Sequence, residues 1–169
     1  MAKKLKILIF PDPRLRKVAK KVTKFDKSLQ KLADDMILTM YDANGIGLAA
    51  TQVNEHIRLI VMDLSEERND PKIFVNPTYT VIENNSFLEY EEGCLSIPGF
   101  NEKISRPDKI ELMWQDLKGN EHIEKPEGLL TVCIQHEIDH LEGKLMVDYV
   151  SALKRERVRS KLLKEYNRK

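Results

Sequence analysis

"GIGLAATQ", residues 45–52, is the stretch on which the fold turns. Gly45, Gly47 and Ala50 fit G-x-G-x-x-G/A, and Asp63 lies 18 residues beyond Gly45, where an acid holds the ribose in a doubly wound dinucleotide fold. Such a fold needs a strand before the glycines and a full helix after them. The neighbouring sequence supplies neither. From Ser28 to Ala43, Leu29, Leu32, Met36, Ile37 and Met40 recur on one helical face, and Asn44-Gly45 ends that helix because both residues tolerate the left-handed conformation. Only residues 48–56 then separate the glycines from "IRLIVMDL" (57–64), a β-branched apolar run that reads as a strand. A crossover helix takes about a dozen residues or more, so none fits. The glycines are expected instead to let the backbone pass close to a ligand or to another strand.

Outward from this point the pattern is one of short strands followed by two helices. "KIFVNP" reads as a short strand ended by its proline, and "TYTVIENNSFLEY" as a strand, an Asn-Asn turn and a second strand. "KIELMWQDLKGNEHIE" suggests a hairpin around Lys118-Gly119-Asn120. After Pro126, "EGLLTVCIQHEIDHLEG" is a strongly apolar helix closed by Gly143, and a last amphipathic helix covers 151–166. The expected class is α+β: antiparallel strands packed around a central helix, with a C-terminal helix. No repeat or linker divides the chain, so residues 1–169 are expected to form one catalytic domain.

Composition narrows the function classes. With 41% apolar and 33% charged residues the chain can bury a core, and no apolar run is long enough to span a bilayer, so no membrane role is expected. The start, "MAKKLKILIFPDPRL", lacks a signal-peptide core, and a cytoplasmic protein is expected. Two cysteines, Cys94 and Cys133, do not make a disulfide framework. The net charge of +1 conceals an asymmetry: residues 151–169 carry eight Lys/Arg against Glu156 and Glu165. Such a tail can dock on a polyanion or be a solvated helix face.

"QHEIDH", residues 135–140, carries the chemistry. His136 and His140 stand four apart, on one helical face about a turn from each other, where both imidazoles can reach one divalent ion. Glu137 flanks that face and can take a proton from water on the ion. The surrounding "LLTVCIQ" implies burial, where two imidazoles and a carboxylate without a partner would be costly.

The third ligand is less obvious. Position 146, where one class of zinc protease places its third histidine, is Met, a poor zinc ligand. Glu156 and Glu165 lie in the charged tail, and His56 and His122 lie in polar surroundings. Cys133 sits a full turn before the histidine pair and reads as a small buried hydrophobe. Cys94, in "YEEGCLSIPGF", follows Gly93 at a strand edge; it either completes a Cys-His-His site with one position open for water or is a free buried cysteine. The residues alone suggest zinc.

"GIGLAATQ", "EGCLS" and "QHEIDH", in this order and separation, resemble the three signature motifs of the peptide deformylases, and the similarity runs from "ILIFPDPRLR" to the basic C-terminal helix. It looks like the bacterial form with a helical tail. The resemblance implies a hydrolase that removes the N-formyl group from the initiator methionine of new polypeptides and releases formate. It implies metal ligation by Cys94, His136 and His140, with iron(II) as the working ion and zinc, nickel or cobalt as substitutes in purified protein. It makes Glu137 the general base and then acid toward metal-bound water, and Gln52 with the Leu95 N–H the oxyanion donors. Gly45 and Gly47 then allow close approach of the peptide, while Ile46, Tyr90, Glu92, Gly93, Leu129 and Cys133 are candidates for contact with the methionine and its backbone. Arg106, just before Pro107, is expected to be structural, and the loop "GFNEK" after Pro98 carries no assigned contact. The basic helix suggests docking near the ribosomal exit. A metallopeptidase with the same histidines, or an RNA-binding module with a structural metal, are the competing readings.

Overall fold

A computed structural model describes residues 1–167; Arg168 and Lys169, the end of the basic tail, lie outside the described residues. The first helix, α1 (Lys27–Asp42), starts where the Asp26 carboxylate accepts the backbone N–H groups of Ser28 and Leu29. It ends at Asn44, whose φ of 57° is the left-handed turn the sequence predicts. Strand β1 (Gly47–Ala49) follows at once, then a single 3-10 turn (Ala50–Val53) and β2 (Leu59–Met62). No crossover helix intervenes, and β1 and β2 are antiparallel.

β2 explains the unbroken apolar run around it. Leu59 and Val61 face α1 together with Leu48, Met36 and Met40. Ile60 and Met62 face the opposite way, into a cluster with Phe74, Leu112, Ile134, Ile138 and Leu141. The last three belong to α2 (Leu129–Leu141). The sheet is thus covered on both faces, α1 on one and α2 on the other, and a strand buried on both faces reads as continuous rather than alternating.

The sheet runs in the order β1-β2-β3-β6-β7, with β3 spanning Lys72–Val81, β6 Ile110–Gln115 and β7 Glu121–Glu124. All of its pairings are antiparallel, and β6 and β7 form the hairpin expected from Lys118-Gly119-Asn120. In the chain, β3 is followed by β4 (Phe87–Gly93) and β5 (Asn101–Pro107), which pair antiparallel in a separate two-stranded sheet before β6 begins. Two sequence expectations are corrected here. "KIFVNP" does not stop at its proline: the register shifts between Val75 and Thr78, Asn76 takes a φ of 52°, and the strand continues past Pro77. A bulge is where a strand tolerates a residue with no N–H to give. The loop read after Pro98 is short as well, because Asn101 to Lys103 already pair with Glu91 to Gly93.

α3 (Ala152–Tyr166) fills the span predicted for the last helix and is capped by the Ser151 hydroxyl, but of its residues only Leu162 is buried. That side chain joins Leu8, Phe10, Leu15, Ile97, Ile104 and Met146 in a third cluster, which ties the N-terminal segment to β5 and α3. Among the described residues no helix is long and apolar enough to cross a membrane.

Candidate active site

α2 presents its chemistry from inside the fold. His136 and His140 are both buried, with ring centroids 5.1 Å apart and planes at 63°. Cys94 arrives from the other sheet, in the turn that follows β4, where the Ile97 N–H donates to the Cys94 carbonyl. Its Sγ lies 3.3 Å from His140 Nε2. One ligand atom from each of the three residues lies within 4.8 Å of the other two. A thiolate and two imidazoles are a donor set for a divalent transition-metal ion, so the residues present fit such a cation and make a potential metal site. Cys133, one turn earlier on α2, is not among these three.

The histidines are fixed from behind. His136 Nδ1 is 2.8 Å from Glu92 Oε1, and a carboxylate can only accept there, so Nδ1 carries the proton and Nε2 is left as the ligand atom. Glu92 in turn receives Arg106 Nε and Nη2 at 2.7 and 2.9 Å, and Arg106 Nη1 donates to Asp139 Oδ2 at 3.0 Å. The Tyr149 hydroxyl donates to the same Asp139 oxygen at 2.6 Å. Burial alone would raise Glu92, but its bonds to His136 and Arg106 hold it below the usual carboxylate range. The carboxylate of Glu92 is therefore spent on orienting His136, although its chain borders the cleft. Burial, reinforced by the charges of Arg106 and Arg16, pushes His140 well below the ordinary histidine value and keeps it neutral.

Glu137 is also buried, and its Oε2 has no hydrogen-bond partner among the described residues. Burial raises it to about 7, helped by the like charge of Glu92 and opposed by Arg106. Its other oxygen packs on Gly47, where an added Cβ would lie 2.8 Å from Oε1. Gly45 meets the Leu95 side chain in the same way, at 2.6 Å. The close approach that the two glycines permit is thus to side chains of the site itself. Gln52 accepts the Ala49 N–H at 2.9 Å through Oε1 and donates through Nε2 to Ser96 Oγ at 3.0 Å, with Cys94 Sγ 3.6 Å away. The Leu95 N–H has no acceptor among the described residues.

In front of these groups opens a cleft of about 420 Å³. Of the site residues named from sequence, Gly45, Ile46, Gly47, Gln52, Tyr90, Glu92, Gly93, Cys94, Leu95, Leu129, Cys133, His136 and Glu137 line it, while His140 lies behind. Burial pushes the Cys133 thiol up to about 12, so it is an uncharged part of the wall. Sequence reasoning missed Val132, which lines the cleft one turn before His136 and was legible from the i, i+4 stripe it shares with the histidines. It also missed the roles of Asp139 and Tyr149, for which no local pattern exists.

A buried helix with H-E-x-x-H, a cysteine brought against it by the turn after β4, and a cleft with a carboxylate oxygen unpartnered among the described residues are the parts of a hydrolytic site on an α+β fold. The model of the family "Polypeptide deformylase" matches residues 4–156. The peptide deformylase of Saccharophagus degradans is 56% identical over 96% of this chain and 94% of its own, and that of Pseudomonas aeruginosa 55% over 96% of each. Among solved structures, a peptide deformylase from Legionella pneumophila superposes with a TM-score of 0.88 at 45% identity, covering 98% of this chain and 96% of that one. One from Ehrlichia chaffeensis, in complex with actinonin, also reaches 0.88 at 40% identity, covering 96% and 98%. The chain belongs to the polypeptide deformylase family, and it is an enzyme.

Proposed function

We propose that this enzyme hydrolyses the formamide at the N-terminal formyl-methionine of newly made polypeptides, releasing formate and a free amine. The observation that carries the reading is Glu137 Oε2, buried without a partner among the described residues, beside a cleft and next to the Cys94-His136-His140 cluster. Cys94 Sγ with the Nε2 atoms of His136 and His140 would hold one divalent cation, iron(II) as the working ion and zinc, nickel or cobalt in its place. Bound there, the cation supplies Lewis acidity that lowers the pKa of a water toward neutrality.

The protein's own groups do the rest. Glu92 keeps His136 in the tautomer that ligates. Glu137 accepts a proton from the attacking water as oxygen bonds to the formyl carbon, and returns it to the nitrogen as the C–N bond breaks. Ser96 and Ala49 hold the Gln52 amide in place beside Cys94 Sγ, so that the N–H now directed at that sulfur can, with the N–H of Leu95, meet the charge gathering on the formyl oxygen. Tyr90, Leu129, Cys133 and Ile46 offer the apolar wall a methionine side chain needs. The whole chain acts in this reading as one catalytic domain in the cytoplasm.

The test is formate release from a formyl-Met peptide beside cleavage of an internal peptide bond. Hydrolysis of the internal bond with no formate would replace this reading with a peptidase. Docking at the ribosome through α3 is a separable part of the proposal, supported by the exposed Arg157, Lys161 and Lys164. Reversing these three charges should weaken cosedimentation with ribosomes, and more so at low salt, while small formyl peptides are turned over as before. Undiminished cosedimentation removes this part.

A further inference from the structure

Asp63, the acid 18 residues beyond Gly45, has a task that deformylation as proposed leaves unassigned. It is fully buried just past β2, and its backbone N–H donates to the Ile46 carbonyl at 2.9 Å. Its carboxylate accepts Ser65 N–H and Ser65 Oγ at 2.8 and 2.6 Å, Asp70 N–H at 3.1 Å and the Tyr41 hydroxyl. These four bonds fold residues 65–70 back over the end of α1. Within that loop Arg68 adopts a φ of 54°, a conformation that side-chain-bearing residues rarely take and that surrounding contacts must enforce. Its Nη2 donates to the Gly45 carbonyl at 2.5 Å, and its guanidinium lies 5.3 Å over the ring of Tyr41.

Two consecutive carbonyls of the cleft wall, Gly45 and Ile46, are therefore pinned from outside the cleft, one by the Arg68 side chain and one by the Asp63 backbone. In a trans peptide the N–H points opposite to the preceding C=O. Holding the Gly45 carbonyl outward turns the Ile46 N–H toward the cleft, and that N–H has no acceptor among the described residues. From this we infer that Arg68 is a positioning residue for the reaction: through Gly45 it aims the Ile46 N–H at the main-chain carbonyl of the substrate's first residue. Asp63 and Tyr41 form the frame from which Arg68 reaches. The inference rests on the deformylase reading of the cleft and names the side chain that orients its wall for backbone recognition.

Arg68→Gly suits the left-handed backbone and removes the whole side chain with its guanidinium, so the loop can keep its course without the bond to the Gly45 carbonyl. With the metal-loaded enzyme, its KM for a formyl-Met-Ala peptide should rise about tenfold with kcat within about twofold, the mark of lost uniform binding. Arg68→Lys, which can still donate to the Gly45 carbonyl, should recover most of that loss. N-formyl-3-(methylthio)propylamine, which is formyl-methionine without its carbonyl, should be handled equally by the two variants and the parent enzyme. An unchanged KM in Arg68→Gly overturns the inference. So does an equal penalty on both substrates that tracks a lowered thermal midpoint, since that is what a merely structural arginine would give. A parent enzyme that releases no formate from either substrate overturns the deformylase reading instead.

Discussion

At Gly47 there is room for a hydrogen and for little else, because Glu137 Oε1 fills the space a methyl group would take. Gly47→Ala must push either β1 or the proposed base, and formate release should fall by about tenfold or more while metal content, measured by atomic absorption, stays at one per chain. Glu137→Gln keeps the shape of the side chain and removes its basicity. It should also retain the metal, with kcat down by at least about 10²-fold; turnover near that of the parent enzyme would remove Glu137 from its role. The individual residues of the cluster were the most legible part of the sequence. His136, Glu137 and His140 announce themselves by spacing on one helix, whereas Cys94 needed its companion motifs, since nothing local tells a ligand from a free thiol. Arg106 reads from sequence as structural, and nothing there assigns Tyr149 or Asp139 to the site, because the bonds joining them to His136 cross β4, β5 and α2.

Among the elements, those with a helical period or a two-strand hairpin came through cleanly: α1, α2, α3 and the β6-β7 pair. β5 did not, and the reason is physical. Its inward residues include Ile104 and Arg106, both buried, and a buried arginine paired with two carboxylates looks like a solvent-facing residue to any hydrophobic pattern. The sequence ends β3 at Pro77 because a bulge leaves no mark in composition. The packing of β2 makes two distinguishable predictions. Ile60→Ala opens a hole beneath α2 and Leu59→Ala one beneath α1, each costing about 2–5 kcal/mol in denaturant unfolding, but only the first should also weaken metal affinity. The turn between α2 and α3 is held by Arg16, whose Nη1 and Nη2 donate to Asp148 at 2.7 and 2.9 Å. Burial raises Asp148 and these bonds more than offset it, leaving it below its ordinary 3.8. A carboxyl lowered in this way stabilises the fold above its unfolded pKa, and the benefit is lost as pH falls through the folded value. Asp148→Asn should therefore lower the melting temperature at neutral pH and match the parent enzyme in strong acid. An equal deficit at both extremes would mean that the pair is not the cause.

For the molecule as a whole, the site joins three distant stretches of chain, 45–52, 92–95 and 136–140, so a cation bound there stabilises only the folded state. With free metal at about 100 times its dissociation constant the gain is about 2.7 kcal/mol. Chelation should lower the melting temperature accordingly, and Cys94→Ser should show a much smaller difference between loaded and stripped protein. The fold class was legible at this scale because the order of elements leaves no space for a crossover helix after Gly47, a constraint of chain length rather than of side-chain chemistry. The partition of burial between the helices has one more consequence. From Thr131 to Leu141 all but Cys133 are buried in α2, while α3 buries a single leucine. In deuterium-labelling experiments the amides of α3 should exchange within the earliest time points and those of α2 only through global opening. The backbone bearing the reactive groups would then be the slowest to take up label.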